Sequence, residues 1–376
     1  MDTSQIETAF EDNFSHRREI GASLSVWLGG QEVVSLHAGT MSKTENAMPW
    51  TNETIVPIWS ATKGLAAASC LRALDGEGYT LDMAVAELWP EFAAGEKEAV
   101  TFEQVLSHSA GLSGLAEPVD ITDYQAVIAA LEAQPSAWTP GQGHGYHPRT
   151  FGFLADEILR RATGAESLGS YFRNEIAAPL GLDLWIGLPK DEFPRVATLY
   201  PGRFKPAEDE RAFYQAFNSP GTETRRAFTS PQGLNSIASM NTKEGWTAGL
   251  ASMGGVGSAQ ALGRFYSCLA TGGEGLFPAN ILQSMETSLS SGTDRTLLRP
   301  TAFSAGFMRD VAKNDQALFG PSLRAFGHPG AGGSHAFADP EHGISFAYIM
   351  NQMEVGALPN AKSLGLVEAV YSTIIG

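Results

Sequence analysis

Between Gly64 and Leu71 the chain reads Gly, Leu, Ala, Ala, Ala, Ser, Cys, Leu, which puts small or apolar residues on every face of the helix it would form. A helix with no polar face is stable only when other elements surround it. The fold must therefore wrap around this segment. With 376 residues, 43% of them hydrophobic, the chain can bury a large share of its surface in one or two cores. The extended run Ile55 to Trp59 leads into the helix through Ser60, Ala61, Thr62 and Lys63. A lysine at the mouth of a wholly buried helix has no evident route to solvent, and a core lysine without a task is rare.

The ends of the chain have strand patterns. Residues Ala22 to Leu28 and Glu32 to Ala38 alternate around Gly29 and Gly30, a hairpin signature; Ser334 to Ala338 and Ile344 to Met350 repeat it around the turn Asp339 to Gly343. Both ends are expected in one antiparallel sheet. Helical spacing of Ile6, Phe10 and Phe14, and of Leu364, Val367 and Val370, predicts terminal helices that cover it. From about Leu81 to Leu180 helical periods dominate, as in Phe102, Val105 and Leu106, in Tyr124 to Leu131, and in Phe151 to Leu159 with Gly164 as C-cap. The segment from about Pro189 to Asn235 is rich in Pro, Arg, Phe and Gly and is expected to form long closing loops. The plan that follows is α/β of the α+β type: a discontinuous domain of residues 1–79 and 235–376, with an antiparallel sheet flanked by helices, and an inserted all-helical unit at 80–234.

Three segments can carry chemistry. Ser60 and Lys63 lie one turn apart, so their side chains can face one point. A serine hydroxyl is a weak nucleophile until a neighbour takes its proton, and an amine can do so when burial depresses its pKa. Backbone N–H groups at the start of the helix favour an oxyanion formed at Ser60. The spacing is short enough to arise by chance, as the serines at 288, 290 and 291 illustrate; the buried helix behind it gives it meaning. Tyr146, in Gly143 to Pro148, stands just ahead of a helix beginning near Arg149. Deprotonated beside Lys63, its phenol can act as general base toward Ser60 and return the proton to a leaving group. The third segment, Phe326 to Ser334, packs glycines before a strand, so that the backbone can approach a ligand and aim its amides inward; Ala331 N–H is the candidate second oxyanion donor.

Composition removes several alternatives. The chain has 25 Lys and Arg against 41 Asp and Glu, a formal charge of −16 without a basic run, so nucleic acid and anionic membrane are poor partners. No stretch approaches the roughly 20 apolar residues of a spanning helix, and the opening MDTSQIETAFEDNF has no signal-peptide pattern, so the expected location is the cytoplasm. Cys70 and Cys268 sit in helical apolar patterns and read as buried thiols. His144 and His147 are three apart, but nothing completes a ligand set, so neither a metal nor another cofactor is expected.

In order and setting these segments resemble the serine β-lactamase and penicillin-binding-protein superfamily, most of all class C β-lactamases and family VIII carboxylesterases. Ser60 and Lys63 match the superfamily's serine–lysine motif, with the serine as nucleophile. Tyr146 falls at the tyrosine of the second motif. His328, Pro329 and Gly330 fall at the third, where the resemblance implies that His328 and Gly330 face substrate. Val105 to Leu112 is similar to the family's leucine, serine, histidine and glycine segment, and the likeness runs from about residue 20 to 375. Two positions depart from the pattern. Pro148 replaces the asparagine of the second motif and His328 the lysine of the third, removing an amide and a cation that hold β-lactams. A lost charged hydrogen bond costs about 1.5–3 kcal/mol, so the resemblance implies a serine hydrolase for small-molecule carboxylic esters, working through an acyl-enzyme on Ser60.

Lys63 and Tyr146 would share the proton work as a coupled pair. An α/β-hydrolase is not indicated, since the GxSxG-like strings at Gly332 to Ala336 and Gly343 to Ala347 both end in alanine, and Ser113 reads as loop. A pocket mouth of aromatics is expected from Phe193, Tyr200, Phe204, Phe213, Tyr214 and Phe217, with Trp246 and the Gly254 to Gly257 loop as further wall. β-Lactamase or peptide-amidase activity, acyl transfer, and a binding-only descendant stay open as alternatives, and the sequence sets no oligomeric state.

Overall fold

The computed structural model describes residues 1–203, 208–311 and 317–376. Its strands are β1 (Gly21–Leu28), β2 (Gln31–Gly39), β3 (Val56–Trp59), β4 (Leu184–Ile186), β5 (Gly255–Gly257), β6 (Ser290–Thr293), β7 (Pro300–Phe303), β8 (Met308–Arg309), β9 (Phe326–Pro329), β10 (His335–Asp339) and β11 (Ile344–Met350). Eight of them form one antiparallel sheet in the order β2-β1-β11-β10-β9-β8-β7-β6, and three form a small sheet in the order β3-β5-β4. The β1–β2 hairpin closes through Gly29 and Gly30 at φ 56° and 84°, the left-handed pair that a two-residue turn between twisted strands requires.

The two faces of the large sheet differ in side-chain size, and that difference selects what packs on each. Register pairs Ala336 with Ala347 and Ala338 with Ser345 on one face, and Phe337 with Phe346 and His335 with Tyr348 on the other. Helix Ala259–Ala270 lies against β1, β10 and β11 on the small-residue face, close enough for Ser345 Oγ to donate to the Gly263 carbonyl at 2.8 Å. The terminal helices Ser4–Ser15 and Ala361–Ile374 pack on each other. They meet the aromatic face, where Tyr371 stacks on Phe337 and Asn13 reaches the Tyr348 hydroxyl.

Helix Thr62–Gly76 is buried at every residue from Thr62 to Leu71, as its sequence demands. It packs against helix Thr150–Thr163 and against β9. The expected long loops between Pro189 and Asn235 prove to hold two short helices, Arg211–Asn218 and Glu223–Thr229. Their aromatic residues pack on one another, with Phe213 5.2 Å and Phe217 6.2 Å from the Phe228 ring, and Thr222 caps the second helix. Helices this short draw their stability from such contacts rather than from periodicity, which is why the sequence pattern is weak. The expected Gly254 to Gly257 loop is likewise replaced by β5, the middle strand of the small sheet.

Candidate active site

Ser60 occupies the turn between β3 and helix Thr62–Gly76 and is half-buried. The turn is sharp because Trp59, directly before it, takes φ 50°, a left-handed backbone that costs a bulky residue on the order of 1–3 kcal/mol. Thr62 holds it: its hydroxyl donates to the Trp59 carbonyl at 2.5 Å and accepts from Gly255 N–H at 2.8 Å. One turn on, Lys63 is wholly buried. Its Nζ donates to the carbonyls of Pro148 and Ser252, each at 2.8 Å, and lies 3.4 Å from Ser60 Oγ. Burial pushes the Lys63 amine well below its ordinary range, and the positive charge of Arg149 adds to the effect.

Tyr146 is 4% exposed and comes from the loop preceding helix Thr150–Thr163. Its ring centroid is 4.9 Å from Lys63 Nζ, and its hydroxyl lies near enough to Ser60 to interact with it. Phe303 stacks on the ring at 6.0 Å and 4°, and His108 meets its edge at 5.2 Å. Burial raises the phenol's pKa, with the Ser60 interaction opposing it. Burial therefore favours the protonated phenol over the phenolate.

The third segment arrives on β9. Gly330 abuts the nucleophile strand so closely that an added Cβ would lie 2.2 Å from the Ile58 carbonyl oxygen, and its own N–H donates to Ser334 at 2.6 Å. Ala331 follows it, half-buried. Among the described residues neither Ser60 N–H nor Ala331 N–H donates to another protein group. His328 is buried, with its ring 5.7 Å from that of Tyr146. Its Nδ1 is 2.8 Å from the Pro329 carbonyl, which can only accept, so Nδ1 carries the proton and Nε2 presents a lone pair without a protein partner. Burial pushes the imidazole down to about 3, so it is uncharged.

Other expected residues lie elsewhere. His147 donates from Nδ1 to Gly145 at 2.6 Å and accepts Leu112 N–H at 3.0 Å, and His144 lies 2.8 Å from Thr301 Oγ1; both tie the loop to its surroundings. Phe193 and Trp246 pack on each other in a satellite core with Trp185, away from Ser60. Tyr200 lies under the Lys43 ammonium, and Tyr214 stands beside Phe213. Phe204 lies outside the described residues. The aromatic that does approach the site is Phe228, 6.3 Å from Tyr146, which belongs to the Phe213 and Phe217 group. Arg149 and the Ser252 carbonyl left no sequence signal, because one acts through a charge and the other through a main-chain atom. Among the described residues Asp339, Glu341 and His342 form a compact group at the β10–β11 turn, where Asp339 is already engaged by His342 and Tyr371. A cleft of about 840 Å³ lined by Phe153, Arg173, Trp185 and Glu244 shares Ser252 with the site but does not include Ser60.

A serine on a strand-to-helix turn, a buried lysine one turn on and a tyrosine from a distant loop accompany a match to the serine hydrolases of β-lactamase fold. The chain belongs to the Beta-lactamase family, whose model matches residues 7–368. It is 32% identical over 358 residues to the Esterase/beta-lactamase LipL of Mycobacterium tuberculosis, covering 92% of this chain and 80% of that protein. A penicillin-binding-protein homologue from Caulobacter crescentus superposes with a TM-score of 0.87 at 36% identity, covering 99% of this chain and 97% of that one. A family VIII carboxylesterase superposes equally well, with a TM-score of 0.87 at 32% identity over 98% and 97% of the two chains. The resemblance read from the sequence and the fold class it implied agree with these matches.

Proposed function

We propose that the protein hydrolyses small carboxylic esters through an acyl-enzyme on Ser60. The observation that carries this reading is the environment of Lys63. An uncharged amine has two N–H bonds and one lone pair, and the two carbonyls at 2.8 Å accept both N–H bonds. The lone pair is left for the third neighbour, the hydroxyl of Ser60. Lys63 then takes the Ser60 proton as Oγ bonds to the ester carbonyl carbon, and the carbonyl oxygen becomes an oxyanion received by the N–H groups of Ser60 and Ala331. The protonated Tyr146 donates to the departing alkoxide as the carbon–oxygen bond breaks, and is reprotonated from Lys63. Water repeats the sequence on the acyl-serine and releases the acid.

The preference for esters over β-lactams rests on His328. A neutral imidazole offering a lone pair repels the ligand carboxylate that a cation would hold. The similarity to a family VIII carboxylesterase supports the same choice. With a charge of −16 the partner is a small molecule rather than nucleic acid or an anionic membrane, and two free buried thiols suit a reducing cytoplasm. Intact-mass analysis with p-nitrophenyl butyrate and nitrocefin tests the proposal. Ser60 should gain the butyryl group and turn over, and Ser60→Ala should lose both acylation and turnover while remaining folded. A Ser60→Ala protein keeping a tenth of wild-type turnover, or nitrocefin hydrolysed as fast as the ester, would overturn it.

A further inference from the structure

Asp294 is a fully buried carboxylate in the turn after β6, and a carboxylate so placed is costly unless donors surround it. Here they do. Oδ1 accepts from Thr296 N–H and Leu297 N–H, each at 2.8 Å, with Thr296 Oγ1 also 2.8 Å away, and Oδ2 accepts from Thr301 Oγ1 at 3.0 Å. Both oxygens lie 3.1 Å from the backbone N–H of Tyr146. The Thr296 hydroxyl also stands 2.9 Å from the Tyr146 carbonyl, and Arg295 N–H donates to the His144 carbonyl at 3.0 Å. One turn thus grips Tyr146 at its N–H and its C=O, while Phe303, on the strand that follows this turn, stacks on the Tyr146 ring. The only basic group of the described residues within ion-pair distance of the carboxylate is His144, 3.9 Å away and itself bonded to Thr301.

We infer that Asp294 is a positioning residue for Tyr146, organising the 294–297 turn so that main chain and ring together set the phenol over Ser60 and Lys63. The inference rests on the proposed role of Tyr146 in ester hydrolysis. It assigns a purpose to a hairpin that is not among the hydrogen-bond partners of Lys63: a phenol delivered by a loop, rather than by a helix or strand, needs an external clamp, and misplacement by about 1 Å can cost a hundredfold in rate.

The test is steady-state hydrolysis of p-nitrophenyl butyrate by Asp294→Asn, Asp294→Ala and Thr296→Val, alone and combined with Tyr146→Phe, with thermal melts on each. Asp294→Asn is expected to lower kcat by about ten- to a hundredfold with KM within about twofold, and Asp294→Ala by more, since asparagine keeps one acceptor oxygen. On the Tyr146→Phe background the same substitutions should add less than about twofold, because the phenol they position is already gone. If the Asp294 variants do not fold, Thr296→Val, which removes the hydroxyl shared between Asp294 Oδ1 and the Tyr146 carbonyl, is read in the same way, with a smaller kcat loss. A folded Asp294→Asn, or failing that a folded Thr296→Val, with wild-type kcat overturns the inference, as does a loss that persists in full on the Tyr146→Phe background. Wild-type protein that hydrolyses no ester would sink the functional reading instead, which separates the two failures.

Discussion

Two lysines in this protein are buried to nearly the same degree and have opposite surroundings. Lys362, 2% exposed, lies 3.0 Å from the buried carboxylate of Glu19 and 3.3 Å from Glu354, and donates to the Gln352 carbonyl at 3.0 Å. It ties the C-terminal helix to the chain segments at the sheet's end. Lys63 has no carboxylate within ion-pair distance among the described residues; it meets two neutral carbonyls and a hydroxyl, with a second cation, Arg149, nearby. Burial penalises the charge of Lys63, which faces no carboxylate, whereas Lys362 sits in ion pairs with Glu19 and Glu354. The same residue type is a structural ion at one end of the molecule and a latent base at the other, and what differs is what it faces.

Exchanging each lysine for methionine breaks the comparison most directly. Lys63→Met should lower kcat for ester hydrolysis by about 10³-fold with no loss in melting temperature, because an unpaired desolvated amine is being replaced by an apolar chain. Lys362→Met should leave kcat within about twofold and cost roughly 3–5 kcal/mol in denaturant unfolding, since the Glu19 carboxylate loses its partner. Equal activity profiles for the two variants would mean that the surroundings do not distinguish them.

A smaller effect sharpens the electrostatic part. Lys63 must be uncharged to act, so activity should rise with pH through its depressed pKa. Arg149 is buried, bonded through Nε to the Pro231 carbonyl at 2.8 Å, and its charge disfavours the Lys63 ammonium. Arg149→Gln removes that charge and lets the Lys63 pKa rise. The acid limb of kcat/KM should therefore move to higher pH, with a smaller loss at neutral pH than Lys63→Met causes. A limb that stays in place would leave burial as the sole cause.

The smallest expected effect concerns a pair of histidines. Register pairs His328 with Ala336 and His335 with Pro329, so the two rings lie on opposite faces of the sheet. His328 faces Tyr146; His335 is buried among Phe319, Phe337 and Phe346 with neither ring nitrogen hydrogen-bonded. Burial pushes the His335 pKa down to about 3, below the value of about 6.5 in an unfolded chain. The unfolded state thus binds more protons in that window: stability is fully present above pH ~6.5 and is lost as pH falls through about 3. His335→Leu should raise stability by about 1–3 kcal/mol and move acid unfolding to lower pH, with kcat unchanged. A less stable variant would show that the ring's packing outweighs its unmet nitrogens.

Much of this was readable in one dimension. The terminal hairpins, the buried helix and the Ser60 and Lys63 spacing are local patterns, and local patterns are what periodicity and turn chemistry report. The hairpin of β6 and β7 was not readable, because Ser290–Thr293 carries no apolar alternation and its serines look like coincidence. Asp294 was missed with it, since its partners are main-chain N–H groups and hydroxyls that no motif records. The aromatic residues between 193 and 217 were legible as a set but not as a wall: some build a satellite core and others a helix pair that reaches Tyr146 only through Phe228.

By itself the sequence determined that a serine stands three residues ahead of a lysine at the mouth of a helix that must be buried, because a helix without a polar face is stable only when other elements surround it. Only the tertiary structure decided that the lysine meets carbonyls rather than carboxylates, that the buried ring of Tyr146 lies beside it, and that His328 rather than His335 faces the site. Those outcomes depend on strand register and on desolvation by segments up to 189 positions away in the chain, and neither quantity exists until the chain has folded.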